Sequence, residues 1–292
     1  MEKHPRNTRT SLLEGPTVSQ HTKEMIFRQL KEMNAPTGSI VVMHSSLRSI
    51  GPVEGGAEAL LDTLIEYFTR DNGLFCVPTH TAHNLRTERI TLDMADDDNC
   101  LGAFPAVALR AAQGVRSENP ILSMKVFGNS ERAQEFIQGE LYTTSATAPG
   151  GCYANLCDMN GYVLLAGVAH NRNTFLHAVG EILQLPNRMG TIPDPATIRR
   201  LNGEIVNRTV LPYYADFTND VSARFGKYET AFRYHRCITD GFLGNAPAQL
   251  CDARKMAQTV KLIFQNDDGY DPMYGELPIP QKYYCGRELP SL

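Results

Sequence analysis

Ser39-Ile-Val-Val-Met-His44 opens a segment that closes on Gly73-Leu-Phe-Cys-Val-Pro78, and the pair of runs decides the fold class. Each is a short, continuous apolar run of strand length, the pattern of a strand buried on both faces. Between them, Ala57 to Arg70 places apolar residues at 60, 61, 64, 65 and 68, a helical spacing, and Asn72-Gly73 stops that helix. A strand, loop, helix and strand in that order close most naturally as a right-handed parallel crossover, so the chain reads as α/β. Working outward, Gly161 to Val168 followed by the helical pattern from Thr174 to Leu183 repeats the theme. Upstream, Thr17 or Ser19 is placed to cap an amphipathic helix carrying Met25, Ile26, Leu30 and Met33.

Downstream the periodicity changes. Ala196 to Leu201 and Glu204 to Leu211 flank Asn202-Gly203, a strong hairpin signal, so an antiparallel ribbon joins the parallel strands and the sheet is expected to be mixed. Thr230 to Cys237 alternates as a strand, and Gln249 to Phe264 reads as a long helix. The expected organisation is a layered α/β/α domain over residues 17–266 with a β-hairpin insertion at about 187–215. Residues 1–16 form an N-terminal arm, and residues 267–292, rich in Pro, Gly and Tyr, form an irregular C-terminal tail over the surface.

Composition bounds the function. At 292 residues and 42% hydrophobic content the chain buries a sizeable core. No stretch approaches the roughly 18 apolar residues of a membrane span, and Met1 to Thr10 lacks the apolar core of a signal peptide, so a cytoplasmic location is expected. Seven Cys without a Cys-x-x-Cys pair read as reduced, mostly buried thiols rather than a zinc site or a disulfide framework. A net charge of -4 argues against nucleic acid and is compatible with a cationic partner.

The common cofactor signatures G-x-G-x-x-G, G-x-x-x-x-G-K-[ST], H-E-x-x-H and G-x-S-x-G are missing. Present instead is His44-Ser-Ser-Leu-Arg-Ser-Ile-Gly-Pro-Val-Glu-Gly-Gly56, a loop of small and hydroxyl residues from a strand end to a helix start. Open backbone amides there suit a phosphate, with Arg48 as an auxiliary charge; a plain glycine-rich connection is the competing reading. Four further segments lie at other element ends: Val77-Pro-Thr-His-Thr81, Arg116-Ser-Glu-Asn-Pro-Ile-Leu-Ser123, Val163 to His177, and Gly244 to Arg254.

In order and spacing these five segments resemble the aminoglycoside 3-N-acetyltransferase, or antibiotic N-acetyltransferase, family. Its members show an H-S-S-L-x-x-x-G loop, a P-T-x-T strand end, an R-S-x-x-P-x-x-S segment and an N-T-x-x-H helix start. The resemblance covers about residues 20–265. It implies acetyl-coenzyme A as cosubstrate, a fold unlike that of the GNAT acetyltransferases, and no metal. It implies further that His44, Ser45, Ser46, Leu47, Arg48, Ser49 and Gly51 bind the cofactor, with Pro78 and Thr79 at the second strand end and Ser123 beside the thioester path.

His177 is the expected general base, because imidazole titrates near neutrality and a protonated amine must lose a proton before attacking a carbonyl. Glu181 lies on the same helix face and is placed to orient the ring. Many family members carry a carboxylate three residues after this His, where this chain has Gly180, so Asp216 is the reserve candidate. Thr79 and Thr174 offer hydroxyls to the thioester oxygen, Thr174 doubling as a helix cap. His80, His83, His170 and His177 raise the rival of a metal-dependent hydrolase, and a non-catalytic small-molecule binder is the other. Asp93, Asp96, Asp97 and Asp98 form an acidic run that reads either as a receptor for a polycationic aminoglycoside or as a solvated loop. The expected acceptor is a small cationic amine, with a non-antibiotic amine metabolite as the alternative. A homodimer is left open.

Overall fold

The computed structural model describes residues 20–292 except Tyr214, Phe217, Thr218, Tyr270, Glu276 and Leu277, and no side chain of residues 214–220. The expected arm at 1–16 and the caps Thr17 and Ser19 lie outside the described residues. The first described helix, α1 (Lys23–Glu32), is capped by Thr22, whose side chain accepts from the Met25 amide, and buries Ile26 and Leu30. Strand β1 (Ile40–Ser45) leads through α2 (Leu47–Ile50) into α3 (Gly56–Phe68) and β2 (Leu74–Pro78), the order that the apolar runs predict. There follow β3 (Leu92–Asp93), α4 (Ala103–Arg110), β4 (Val115–Arg116), β5 (Met124–Gly128), α5 (Ser130–Ile137) and α6 (Cys152–Asn155). The chain continues through β6 (Gly161–Ala166), α7 (Phe175–Ile182), β7 (Asp194–Arg199), β8 (Ile205–Val210), β9 (Ala215–Asp216) and β10 (Asn219–Asp220). It ends with α8 (Glu229–Tyr234), β11 (Ile238–Leu243), β12 (Ala246–Asp252) and α9 (Ala253–Gln265).

The main sheet runs β11-β12-β6-β1-β2-β5-β4. Its centre, β6, β1 and β2, is parallel, and β5 and β12 border that centre antiparallel on either side. The mixed sheet is therefore as expected. Alternation along each central strand explains the layers. Ile40, Val42, Leu74, Cys76, Val163 and Leu165 face a cluster with α5, α6, α7 and α9. Val41, Met43, Phe75, Val77, Leu164 and Ala166 face a second cluster with α1, α3 and α4. Side chains alternate across a strand, so two apolar sets require helices on both faces. The β7–β8 hairpin pairs with β3 in a separate three-stranded sheet.

Three expectations are corrected. Residues 230–237 are largely helical rather than a strand: Phe225, Tyr228 and Phe232 are buried at helical spacing along the 3₁₀ turn Val221–Tyr228 and α8, and Arg233 pairs with Glu229 one turn back. Residues 249–252 belong to β12, and α9 starts only after Asp252, whose carboxylate accepts from the Lys255 amide. The tail is not a surface wrap alone, since Met273, Ile279, Tyr283 and Tyr284 are buried in the larger core cluster. All seven thiols are free and five of them are buried.

Candidate functional site

The carboxyl ends of the three parallel strands meet at one edge of the sheet, where ligands bind in open α/β folds. A cleft of about 260 Å³ opens there. Met43, His44 and Ser45 reach it from β1, Val77 and Pro78 from β2, and Val168 and Arg172 from the segment after β6; Cys100, Leu101, Phe104 and Pro105 supply the outer wall. Of the expected cofactor residues, His44, Ser45 and Pro78 thus line the cleft. His44 is buried, and its Nε2 has no hydrogen-bond partner among the described residues. Burial, with the Arg172 charge adding to it, pulls the imidazole down to about 4, so it is neutral at pH 7. Arg172 is exposed and pairs with no described carboxylate. The sequence reading missed Arg172, although it stands in the quoted strand-end segment.

The loop after β1 differs from the expected amide cradle. The amides of Ser46, Ser49, Ile50, Gly51, Glu54 and Gly56 all donate to backbone carbonyls. Ser46 caps the single turn of α2, and its hydroxyl accepts from that of Ser49 at 2.9 Å. Leu47 and Ser49 are half-buried in this turn and Arg48 is exposed. Gly51 is needed for geometry: its φ is +81°, and a Cβ there would lie 2.6 Å from Asn245 Nδ2.

Beneath the second strand end, Thr79 and Ser123 are fully buried and face each other, Oγ1 to Oγ at 3.0 Å. Ser123 also donates to the Thr79 carbonyl at 2.8 Å. The centre of this knot is Arg116, the first residue of the R-S-x-x-P-x-x-S segment, whose role the sequence did not disclose. Its guanidinium donates to Ser123 Oγ and to the carbonyls of Thr79, Asp93, Asp96 and Asp98. Burial lowers its pKa to about 10, with Asp96, Asp98 and Asp93 opposing the shift, and it stays charged. The acidic run therefore wraps an arginine with its backbone. Three of its four side chains are also paired, Asp93 with Arg199, Asp97 with Arg110, and Asp98 with His83 and Arg89, while Asp96 accepts the Asp98 amide. That pairing leaves little free negative charge to receive a polycation.

Helix α7 carries His177 and Glu181. The His177 ring stacks on Tyr213, with centroids 3.7 Å apart and planes 15° apart, and meets the edge of Phe225 at 4.9 Å. These aromatic contacts fix the ring plane, and no sequence signal pointed to them. Glu181 is hydrogen-bonded to the Ser145 and Thr147 hydroxyls, one on each oxygen. The Asp216 side chain lies outside the described residues. Thr174 occupies the cap position of α7 without a capping bond from its side chain. His80 Nε2 is 2.8 Å from the Tyr153 hydroxyl. Burial lowers the His80 pKa to about 3, with the His44 and His177 charges adding to the effect. Among the described residues, no group of three or more His, Cys, Asp or Glu side chains is arranged to hold a metal ion. No described helix is long and apolar enough to cross a membrane.

Known proteins share this sequence pattern and fold. The sequence profile of the family described as Aminoglycoside 3-N-acetyltransferase matches residues 42–265. Aminoglycoside N(3)-acetyltransferase III from Salmonella sp is 25% identical over 255 residues, covering 80% of this chain and 88% of that protein. The structure of a variant of aminoglycoside acetyltransferase AAC(3)-IVa in complex with a gentamicin superposes with a TM-score of 0.71 at 22% identity, covering 87% of this chain and 92% of the other. The AAC-IIIb binary complex with CoASH does so with a TM-score of 0.71 at 17% identity, covering 87% and 100%. With its profile match spanning most of the chain and its fold shared with these enzymes, this protein belongs to the aminoglycoside 3-N-acetyltransferase family.

Proposed function

We propose that the chain transfers the acetyl group of acetyl-coenzyme A to an amine by direct attack, with His177 as general base. The observation that carries this reading is the cleft at the carboxyl ends of β1, β2 and β6, with the exposed cation Arg172 on its wall. An anionic cofactor fits such a wall, and the AAC-IIIb neighbour is bound to CoASH. His177 takes one proton from the acceptor ammonium and releases it to solvent, the nitrogen attacks the thioester carbonyl, and as the C–S bond breaks the nitrogen gives up its second proton through His177 to the departing thiolate, leaving the amide and the coenzyme A thiol. Thr174 is placed to donate to the developing oxyanion. Thr79, which is sealed under the strand end, holds the wall in place.

The acceptor is the open variable. The AAC(3)-IVa neighbour is bound to a gentamicin, which supports an aminoglycoside-like amine. The arginine pairing of the acidic run favours a second reading, an amine metabolite with fewer positive charges. A thiol-release assay with acetyl-coenzyme A against a panel of aminoglycosides and singly charged or neutral amino sugars decides between them. Turnover on aminoglycosides supports the first reading, and turnover confined to the less charged amines supports the second. Absence of thiol release with every amine would overturn the transferase reading.

A further inference from the structure

The profile that places the chain in its family ends at residue 265, yet the segment after it is bonded to the two elements that hold His177. The turn at 271–275 is set by Asp271, whose Oδ1 accepts from the Met273 amide at 2.9 Å and whose carbonyl accepts from the Tyr274 amide at 3.2 Å. Asp271 Oδ2 accepts from Arg188 Nη2 at 2.7 Å, and both side chains are largely sealed from water, Arg188 at 3% and Asp271 at 15% exposure. Arg188 belongs to the loop that leaves α7, where its Nη1 donates to the Pro186 carbonyl and the Tyr274 hydroxyl donates to that of Asn187. It also packs over α7 itself, since a Cβ on Gly180 would lie 3.0 Å from Arg188 Cγ. On its other side the 271–275 turn grips the 3₁₀ turn Val221–Tyr228. Arg224 Nη1 donates to the Met273 carbonyl at 2.9 Å, and Lys227 Nζ donates to the carbonyls of Pro272 and Gly275. Between those two donors in the chain stands Phe225, whose ring meets His177.

We propose that Asp271 is a positioning residue, which through Arg188 locks the exit of α7 to the turn that carries Phe225 and so holds the His177 ring in its orientation. The inference rests on the acetyl-transfer reading for its effect on rate but not for the clamp itself. A 3₁₀ turn is held by poorly aligned bonds of its own, so the outside donations of Arg224 and Lys227 decide where Phe225 sits. Those donations need the 271–275 carbonyls at fixed places. Asp271 fixes them by serving the Met273 amide with one carboxylate oxygen and Arg188 with the other. Arg188 cannot leave the pair cheaply, because an unpaired guanidinium at that burial is uncompensated. The helix that carries the base and the ring that orients it thus depend on one ion pair. A small misplacement of a general base lowers the rate far more than it weakens binding of a cofactor held elsewhere.

Two readouts test it. In steady-state kinetics Asp271→Asn, which keeps the size but leaves one acceptor oxygen for two donors, should lower kcat by about tenfold. KM for acetyl-coenzyme A should stay within about twofold, because no cleft-lining residue is altered. Asp271→Asn should add little to the loss in Phe225→Leu, since its effect passes through that ring. In NMR of histidine-labelled protein, with the His177 signal assigned by its loss in His177→Gln, Asp271→Asn should shift the His177 ring resonance in the parent but not in Phe225→Leu. Tyr274→Phe, a milder change that removes the hydroxyl bonded to the Asn187 carbonyl, should move the same resonance in the same direction and serves where Asp271→Asn unfolds. A His177 resonance that neither variant moves overturns the proposal whatever the activity. So does a kcat for folded Asp271→Asn within about twofold of the parent, or losses that multiply in the double variant. If the parent transfers acetyl to no amine while the resonance shifts as described, the clamp stands and the assigned reaction falls.

Discussion

Replacing His177 with alanine should lower turnover by about 10²- to 10⁴-fold, the usual contribution of a positioned general base. The amine of an acceptor is largely protonated at neutral pH, and only the free base attacks a carbonyl. His177 is 6% exposed and clamped between Tyr213 and Phe225, so its proton-accepting nitrogen is presented in one orientation rather than averaged over several. Coenzyme A binding should survive, since none of the cleft-lining side chains is altered. The residual rate should rise more steeply with pH, because the free amine must then come from solution. Steady-state rates from pH 6 to about 9 check this. Turnover within about threefold of the parent with the same pH profile would move the base elsewhere, to Glu181 or Asp216 acting through water.

The second large effect is structural. Arg116→Ala should destabilise the protein on the order of 3 kcal/mol or more, read as the shift of the urea midpoint at constant slope. The guanidinium is 7% exposed and is the common donor to four carbonyls and the Ser123 hydroxyl. Removing it leaves buried acceptors unpaired and removes the charge around which Asp93, Asp96 and Asp98 are gathered. Arg116→Lys should recover only part of the loss, because one ammonium cannot reproduce the planar fork that serves both Thr79 and the acidic loop. A midpoint equivalent to less than about 0.5 kcal/mol of change would show that water replaces the guanidinium without cost.

The fold was largely legible, because buried parallel strands announce themselves by continuous apolar runs and their helices by period. Ile40–Ser45, Leu74–Pro78 and Gly161–Ala166 are the strands those runs predict. The errors fall where two periods overlap. Residues 225, 228 and 232 carry a helical stripe into a window that also alternates, and tertiary burial chose the helix. The two-residue turn Gly244-Asn245, with Gly244 at φ +60° and Leu243 opposite Ala246, was a readable hairpin signal that the strand reading at 230–237 obscured.

The site was legible only in part, since motif residues show where a strand ends but not what surrounds them. His44, Ser45 and Pro78 reach the cleft, whereas Ser46 and Ser49 spend their hydroxyls on each other. Arg116, Tyr153, Tyr213 and Phe225 act through contacts between segments far apart in sequence, and no local spacing encodes those. The acidic run shows the converse limit, because its charge was plain but its arginine partners were not.

The central claim, a coenzyme A site in the strand-end cleft, does not depend on which amine is the acceptor. Calorimetric titration of the protein with coenzyme A and with acetyl-coenzyme A tests it most directly. Saturable binding is expected for both, weakened several-fold, about 1 kcal/mol, by Arg172→Ala or Arg48→Ala, each of which removes an exposed cation from the cleft wall or its flanking turn. No saturable heat with either compound from a folded protein would contradict the account.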